Sequence, residues 1–247
     1  MSSKLPITIT VSIYYRADEC LPLVLKSILL DDVDPNSIEV IVCDDCCPTP
    51  ENVIADIIAK FLPFFGRITH IRNPAHAGFR KSFLLKEALE LSNSDVFVFL
   101  DGDCVIHSKA LGRLTSGALL QDALCQGQRV FLTNQSISWG IENIDSITDF
   151  KILRDKFYVD NTKTRKNKKR YRDILKLQAQ GTPGRFNYAS GYFMALKTPL
   201  AKEIGVNTHA IRGYMEDTDF AKRLFEEKGI DVFEVRDTEV LHLFEHH

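Results

Sequence analysis

The sequence predicts an α/β fold: one domain built on a mostly parallel central sheet with helices on both faces. Three observations predict it. Over the first 105 residues, short β-branched runs alternate with segments of helical apolar spacing. One such run, Val96 to Leu100, is apolar throughout, the pattern of a strand buried on both faces. A chain of 247 residues is long enough for one large domain with a substantial core, and hardly for two.

The elements follow in order. Ile7 to Ile13 is rich in β-branched residues and reads as the first strand; Leu21 to Leu30 then has helical apolar spacing. Ile38 to Cys43 is a second strand, and Val53 to Leu62 a second helix after the breakers Pro48 and Pro50. Arg67 to Ile71 is a third strand, Phe79 to Leu91 a third helix, and Val96 to Leu100 a fourth strand. Strands separated by helices of this length imply right-handed crossovers, hence parallel pairing.

The second half is less regular. Val130 to Phe131 reads as a strand, and Asp145 to Leu177 as helical but heavily charged. A mobile loop is expected at Gly181-Thr-Pro-Gly184. Tyr192 to Leu196 reads as a strand, Glu216 to Lys228 as a helix ended by Gly229, and Asp231 to Leu241 as one or two closing strands.

Composition narrows the function classes. The net charge of −2 gives no global basic field for nucleic acid. Met1 to Pro6 is short and polar, unlike a signal peptide, and no apolar run reaches the ~20 residues that span a bilayer. A cytoplasmic protein is expected. Six cysteines are too few at this length for a disulfide scaffold. Cys43-Asp-Asp-Cys46 fits C-x-x-C, but zinc needs a second pair, and a redox pair would open a helix. These cysteines read as small apolar residues in a reducing compartment. Seven of the ten residues from Lys163 to Arg172 are basic. The run reads first as a solvated face, and secondly as a peripheral contact with an anionic membrane.

In parallel sheets, ligands gather at the carboxyl ends of the strands. Four such ends carry chemistry-bearing residues: Tyr14-Tyr15-Arg16, Asp44-Asp45, Asn73 to Gly78, and Asp101-Gly102-Asp103. Two carboxylates at the mouth of an apolar strand carry charge that a cation would offset. Hard oxygen ligands of this kind suit Mg²⁺ or Mn²⁺, which in turn can hold a diphosphate. A second acidic cluster, Glu216, Asp217 and Asp219, opens the helix after Arg212-Gly213. Helix dipoles favour acids there, but three beside a glycine exceed what a cap needs, and one of them can serve as a general base.

Taken together, Tyr14-Tyr-Arg-Ala-Asp18, Ile41-Val-Cys-Asp-Asp45, Phe99-Leu-Asp-Gly-Asp103, Ser190-Gly-Tyr-Phe193 and Glu216-Asp217 resemble the family-2 glycosyltransferases of GT-A fold in order and spacing. Ser190 to Leu243 is also similar to the corresponding part of β-1,4-galactosyltransferases and chondroitin-polymerase-type enzymes. The resemblance implies a nucleotide-binding half, residues 1–105, and an acceptor-binding and catalytic half, residues 106–247. It implies that Tyr14 stacks on the base and that Asp45 accepts the base imide N–H, which favours uridine. Arg80 would approach the diphosphate. Asp103, Asp101 and His242 would hold Mn²⁺ or Mg²⁺, with Asp101 also near the ribose. Asp217 would be the base, with Glu216 beside it on donor or acceptor. The activity implied is inverting transfer from a nucleotide-sugar, of uridine type, to a hydroxyl of a glycan or lipid-linked acceptor. Arg185 and Arg212 are candidates to close over the diphosphate.

The sequence departs from the family twice: Asp44-Asp45 is followed by Cys46-Cys47 where a Gly or Asn and a Ser are usual, and Phe79-Arg-Lys-Ser82 replaces an Ala-Arg-Asn signature. Two rival classes share part of this pattern. Asp101-Gly-Asp-Cys-Val105 also fits the D-x-D-x-[TV] of haloacid-dehalogenase-like phosphatases, with Asp101 as nucleophile and Asp103 as acid/base, though there it sits on the first strand. A non-catalytic nucleotide-sugar-binding module would lack the Glu216-Asp217 pair.

Overall fold

The computed structural model describes residues 5–73, 80–107, 109–159, 189, 191–208 and 216–243, with Glu216 through its backbone alone. The first four strands are β1 (Ile7–Ile13), β2 (Ile38–Asp44), β3 (Arg67–Arg72) and β4 (Val96–Asp101). They are linked by α1 (Ala17–Leu29), α2 (Glu51–Phe61) and α3 (Lys81–Leu91). After these come β5 (Cys104–Ile106), α4 (Ala110–Leu120), β6 (Leu124–Phe131), α5 (Gln135–Glu142) and α6 (Lys151–Phe157). The chain closes with β7 (Phe193–Lys197), α7 (Thr198–Ile204), α8 (Glu216–Lys228) and β8 (Val232–His242).

The strands form one eight-stranded sheet in the order β3-β2-β1-β4-β7-β6-β8-β5. Its first four strands are mutually parallel, as the βαβ rhythm requires. Beyond β4 the sheet is mixed, so that it is mostly but not purely parallel. β7 runs antiparallel to both β4 and β6, β6 and β8 are parallel, and β8 is antiparallel to β5. The reason is connection length. Only Gly102 and Asp103 separate β4 from β5, too few for the crossover a parallel pair needs, so β5 leaves β4 and pairs with β8.

Helices cover both faces, as expected. On one face, α1, α2, α4, α5 and α6 pack on Ile9, Val11, Val40, Val98 and Leu100. On the other, α3, α7 and α8 pack on Ile41, Cys43, Phe97, Phe99 and Met194. Alternate residues of β4 enter opposite layers, which is why that strand is apolar at every position from Val96 to Leu100.

Other expectations are corrected. The strand at Val130–Phe131 is eight residues long, beginning at Leu124. The charged helix expected from Asp145 is interrupted: α6 covers only Lys151–Phe157, and residues 160–177 lie outside the described set. Of the one or two strands expected over Asp231 to Leu241 there is one, Val232–His242; the register against β6 shifts between Gln126 and Gln128, and Asp237 takes φ 58° opposite that shift. β5, α4, α5 and α7 were not anticipated. Among the described residues, no helix is long and apolar enough to cross a membrane.

Candidate active site

The carboxyl ends of β1, β2 and β4 meet at one edge of the sheet. β1 ends at Tyr14, half-exposed beside the more exposed Tyr15. Register fixes the neighbouring carboxylates: Ile13 pairs with Asp44 across one side of β1, and Ser12 with Asp101 across the other.

Asp44 is fully buried and structural. Its Oδ1 accepts the Cys47 N–H at 2.7 Å, and Oδ2 faces Arg72 Nε at 3.3 Å and His70 Nε2 at 3.4 Å. The turn it pins explains one departure from the family pattern. Cys46 takes φ 55°, in the left-handed region that glycine adopts at least cost, and Asp44 holds the turn in place of that freedom.

Asp45, 3% exposed, accepts the Arg80 N–H on Oδ2 at 2.7 Å. Its Oδ1 is buried without a hydrogen-bond partner among the described residues. Burial raises its pKa, opposed by the Arg80 N–H and the Asn73 side chain. An unpaired buried carboxylate oxygen costs free energy until a donor reaches it.

At the end of β4, Gly102 passes so close to β1 that an added Cβ would lie 2.6 Å from the Ser12 carbonyl and 2.7 Å from Ile13 Cγ2. Only glycine lets the chain turn there and spread Asp101 and Asp103 apart. Asp101 Oδ1 takes an ion pair from Lys81 Nζ at 2.6 Å. Asp103 turns the other way: its Oδ2 lies 3.2 Å from His242 Nε2, and its Oδ1 accepts from the Cys104 thiol at 3.5 Å. His242, 2% exposed at the end of β8, reaches this point because β8 pairs with β5, bringing His242 opposite Cys104.

Asp103, Cys104 and His242 offer donor atoms within 4.8 Å of one another. They fit a divalent cation. Two cis ligands about 2.1 Å from an octahedral ion sit about 3 Å apart, close to the Asp103–His242 separation. Asp101, bound to Lys81, is not in this group. Burial pushes the Cys104 thiol well above its usual range, so as a neutral thiol it is a poor ligand for a hard ion.

Asp217 enters from the opposite helix layer. Its Oδ2 accepts the Gly191 N–H at 2.6 Å, and Oδ1 the Thr218 N–H at 2.7 Å. Gly191 immediately precedes Tyr192 and Phe193; Tyr192 accepts the Asp101 N–H at 3.1 Å, and Phe193 pairs with Leu100. Asp217 is thereby tied to the D-x-D turn through β7. It shares a crevice with Lys81, Gly191 and Phe220.

The structure thus brings Asp45, Asp101, Asp103, Asp217 and His242 to one end of the sheet, with Tyr14 at its rim. It does not bring the Arg80 side chain onto the carboxylates: that guanidinium lies over the Phe83 ring at 5.4 Å. The cation that reaches Asp101 is Lys81, one residue on. The signal was present in Phe79-Arg-Lys-Ser82; only the helix start at Lys81 decides which of two adjacent basic residues faces inward. The Glu216 side chain, Arg185, Arg212, His246, His247 and the basic run Lys163 to Arg172 lie outside the described residues. All six cysteines are free, and Cys43 is a buried core residue.

Known proteins supply the comparison. No curated protein matches the chain in sequence. Among solved structures it is similar to S. aureus TarS 1-349 (TM-score 0.64, 15% identity), covering 96% of this chain and 60% of that one. That protein in complex with UDP-GlcNAc gives TM-score 0.64 at 14% identity, covering 98% and 59%. The mannosyltransferase PcManGT from Pyrobaculum calidifontis, in complex with GDP-Man and Mn²⁺, gives 0.59 at 15% identity, covering 97% and 57%. The chain therefore spans about 60% of the length of these proteins, and at such identities the likeness is one of fold. The model of the family described as "Glycosyl transferase family 2" matches residues 8–205, from β1 past the end of α7. With the D-x-D turn on the fourth strand rather than the first, nothing remains to favour a haloacid-dehalogenase-like phosphatase, and the chain belongs to glycosyl transferase family 2.

Proposed function

We propose that this glycosyltransferase moves a sugar from a UDP-sugar to an acceptor hydroxyl, with inversion and with a divalent cation, Mn²⁺ or Mg²⁺, as cofactor. The observation that carries this is the tie from Asp217 through Gly191 and Tyr192 to Asp101. It joins a carboxylate suited to proton abstraction to a cluster suited to a cation, from opposite layers of the fold.

In this reading, residues 1–105 bind the nucleotide and residues 106–247 bind the acceptor and complete the chemistry. Tyr14 stacks on the base, and a base imide N–H gives Asp45 Oδ1 the donor it lacks; guanine offers donors in a different arrangement. Asp103 and His242 hold the cation. When bound, it supplies positive charge against the diphosphate leaving group. Lys81 does related work from the Asp101 side, as a fixed ammonium that needs no reorganisation during the reaction.

Asp217 accepts the proton of the attacking hydroxyl. Two backbone N–H groups hold its oxygens, so the carboxylate is oriented before substrate arrives. Glu216, its neighbour in sequence, is proposed to contact donor or acceptor. The related structures support a nucleotide-sugar donor: those proteins are in complex with UDP-GlcNAc and with GDP-Man. The acceptor is proposed to be a glycan or a lipid-linked glycan, with Lys163 to Arg172 available for an anionic membrane surface.

The test is turnover of a panel of UDP-sugars and GDP-sugars with and without Mn²⁺, with p-nitrophenyl phosphate as control. Release of UDP from a UDP-sugar, dependent on metal and on added acceptor, is the expected result. Phosphatase turnover, or equal use of GDP-sugars, would overturn it.

A further inference from the structure

Arg129 on β6 contrasts with most arginines of this fold. Arg16, Arg67, Arg72, Arg154 and Arg223 each pair with a carboxylate. The Arg129 guanidinium instead lies over two aromatic rings, 4.8 Å from the centroid of Phe131 and 4.6 Å from that of Tyr192. Among the described residues no carboxylate pairs with it. Contact with two rings restrains the guanidinium without using its N–H groups in an ion pair.

The two rings are held in place beside the Asp103–His242 pair. Tyr192 Oη donates to the Gly127 carbonyl at 2.9 Å and accepts from Gln126 Nε2 at 3.0 Å, which locks its ring. Gly127 permits this packing: a Cβ there would fall 2.5 Å from the Phe193 ring and 2.8 Å from the Thr238 carbonyl. On the other side, Phe131 pairs with His242 across β6 and β8, ring centroids 5.3 Å apart. Arg129 is therefore one ring removed from His242, and close enough for its charge to act on the Cys104 thiol.

We infer that Arg129 is a substrate-binding residue whose guanidinium takes an oxyanion, a phosphate or carboxylate, against the Asp103–His242 cluster. This rests on the proposed function for the identity of the surrounding site. A planar fork held by stacking suits bidentate oxyanion recognition, whereas a cation kept only for stability would be expected to pair within the protein. Two sources offer the same chemistry: the donor diphosphate, or an anionic group on the acceptor.

Arg129→Gln removes the charge while keeping much of the side-chain length; thermal melting checks that it folds. Calorimetry with Mn²⁺ is run with uridine, UDP, inorganic pyrophosphate and, on the UDP-loaded protein, sn-glycerol 3-phosphate. If the donor supplies the oxyanion, UDP and pyrophosphate weaken about ten- to a hundredfold while uridine does not change. If the acceptor supplies it, only sn-glycerol 3-phosphate binding is lost. Arg129→Lys should recover part of either loss, because charge returns without the fork. Unchanged affinity for every phosphate probe in a folded variant overturns the inference, as does an equal loss for uridine and UDP, the mark of a purely structural residue. Pyrophosphate carries no base, so a wild-type protein that ignores uridine while binding pyrophosphate would count against the donor reading and not against Arg129.

Discussion

Asp217 Oδ2 accepts the backbone N–H of Gly191 at 2.6 Å across 26 residues of sequence. The approach is close: a Cβ at position 191 would lie 3.2 Å from Asp217 Cβ, and the neighbour would have to give by a few tenths of an ångström. This contact holds the proposed base against the strand that borders the D-x-D turn. Asp217→Asn keeps the shape but cannot accept the proton, and kcat is expected to fall about 10²- to 10⁴-fold. UDP affinity, measured by calorimetry, should stay near wild type. Glu216→Gln should do less damage, or raise acceptor KM as much as it lowers kcat. Near wild-type kcat in Asp217→Asn would remove it from the mechanism.

Asp103 is the one proposed metal ligand set directly against His242. Its alanine variant should lose metal-dependent UDP binding by at least about a hundredfold, more than the loss of a group that only orients a ligand. Asp101→Ala should keep part of the metal affinity, since Asp101 is joined to Lys81 rather than to the cluster. Titration of Mn²⁺ by electron paramagnetic resonance separates the two. Equal loss in both variants would restore Asp101 as a ligand.

The buried Oδ1 of Asp45, without a hydrogen-bond partner among the described residues, makes a prediction about the base. UDP should bind more tightly than GDP under the same metal conditions. Asp45→Ala should narrow that preference, with GDP affected less than UDP. Tighter GDP binding by the wild-type protein would refute the uridine assignment and leave the fold untouched.

Gly102→Ala tests the close passage of β4 beside β1. With its Cβ 2.6 Å from the Ser12 carbonyl, overpacking should cost about 1–3 kcal/mol. For a domain of this size that lowers Tm by roughly 2–4 °C per kcal/mol. Activity should fall further than stability, because the displaced residues flank Asp101 and Asp103. An unshifted Tm would mean that the turn can yield without loss.

Asp31, at the end of α1, accepts the N–H groups of Leu111 and Gly112 in the first turn of α4. Burial and the neighbouring Asp32 nonetheless push its pKa up to about 6 from 3.8. A carboxyl with a raised folded-state pKa stabilises the fold in its protonated form, and that contribution is lost as pH rises from about 4 through about 6. The stability of wild type relative to Asp31→Asn, from urea melts, should therefore decline over that window and level off above it. A flat difference would show that Asp31 is not titrating there.

The sequence by itself determined the parallel half of the sheet. Periodicity located β1 to β4 to within a few residues, because each βαβ unit is local and its strands are rich in β-branched or apolar residues. Weak motifs in register marked Asp45, Asp101 and Asp103 at strand ends and Asp217 at a helix start, and the family resemblance alone added His242. Tertiary structure decided the rest. Lys81 rather than Arg80 faces Asp101 because the rotation of α3 is set by burying Leu84, Leu85 and Ala88. The mixed half of the sheet was illegible because its pairings join strands far apart in sequence; β5 finds β8 across more than a hundred residues. That pairing sets His242 opposite Cys104, and the parallel match of β6 with β8 sets Phe131 and Arg129 beside it. Local propensity names the strands. Which strand closes beside which is decided only when the two apolar faces of the sheet are both covered.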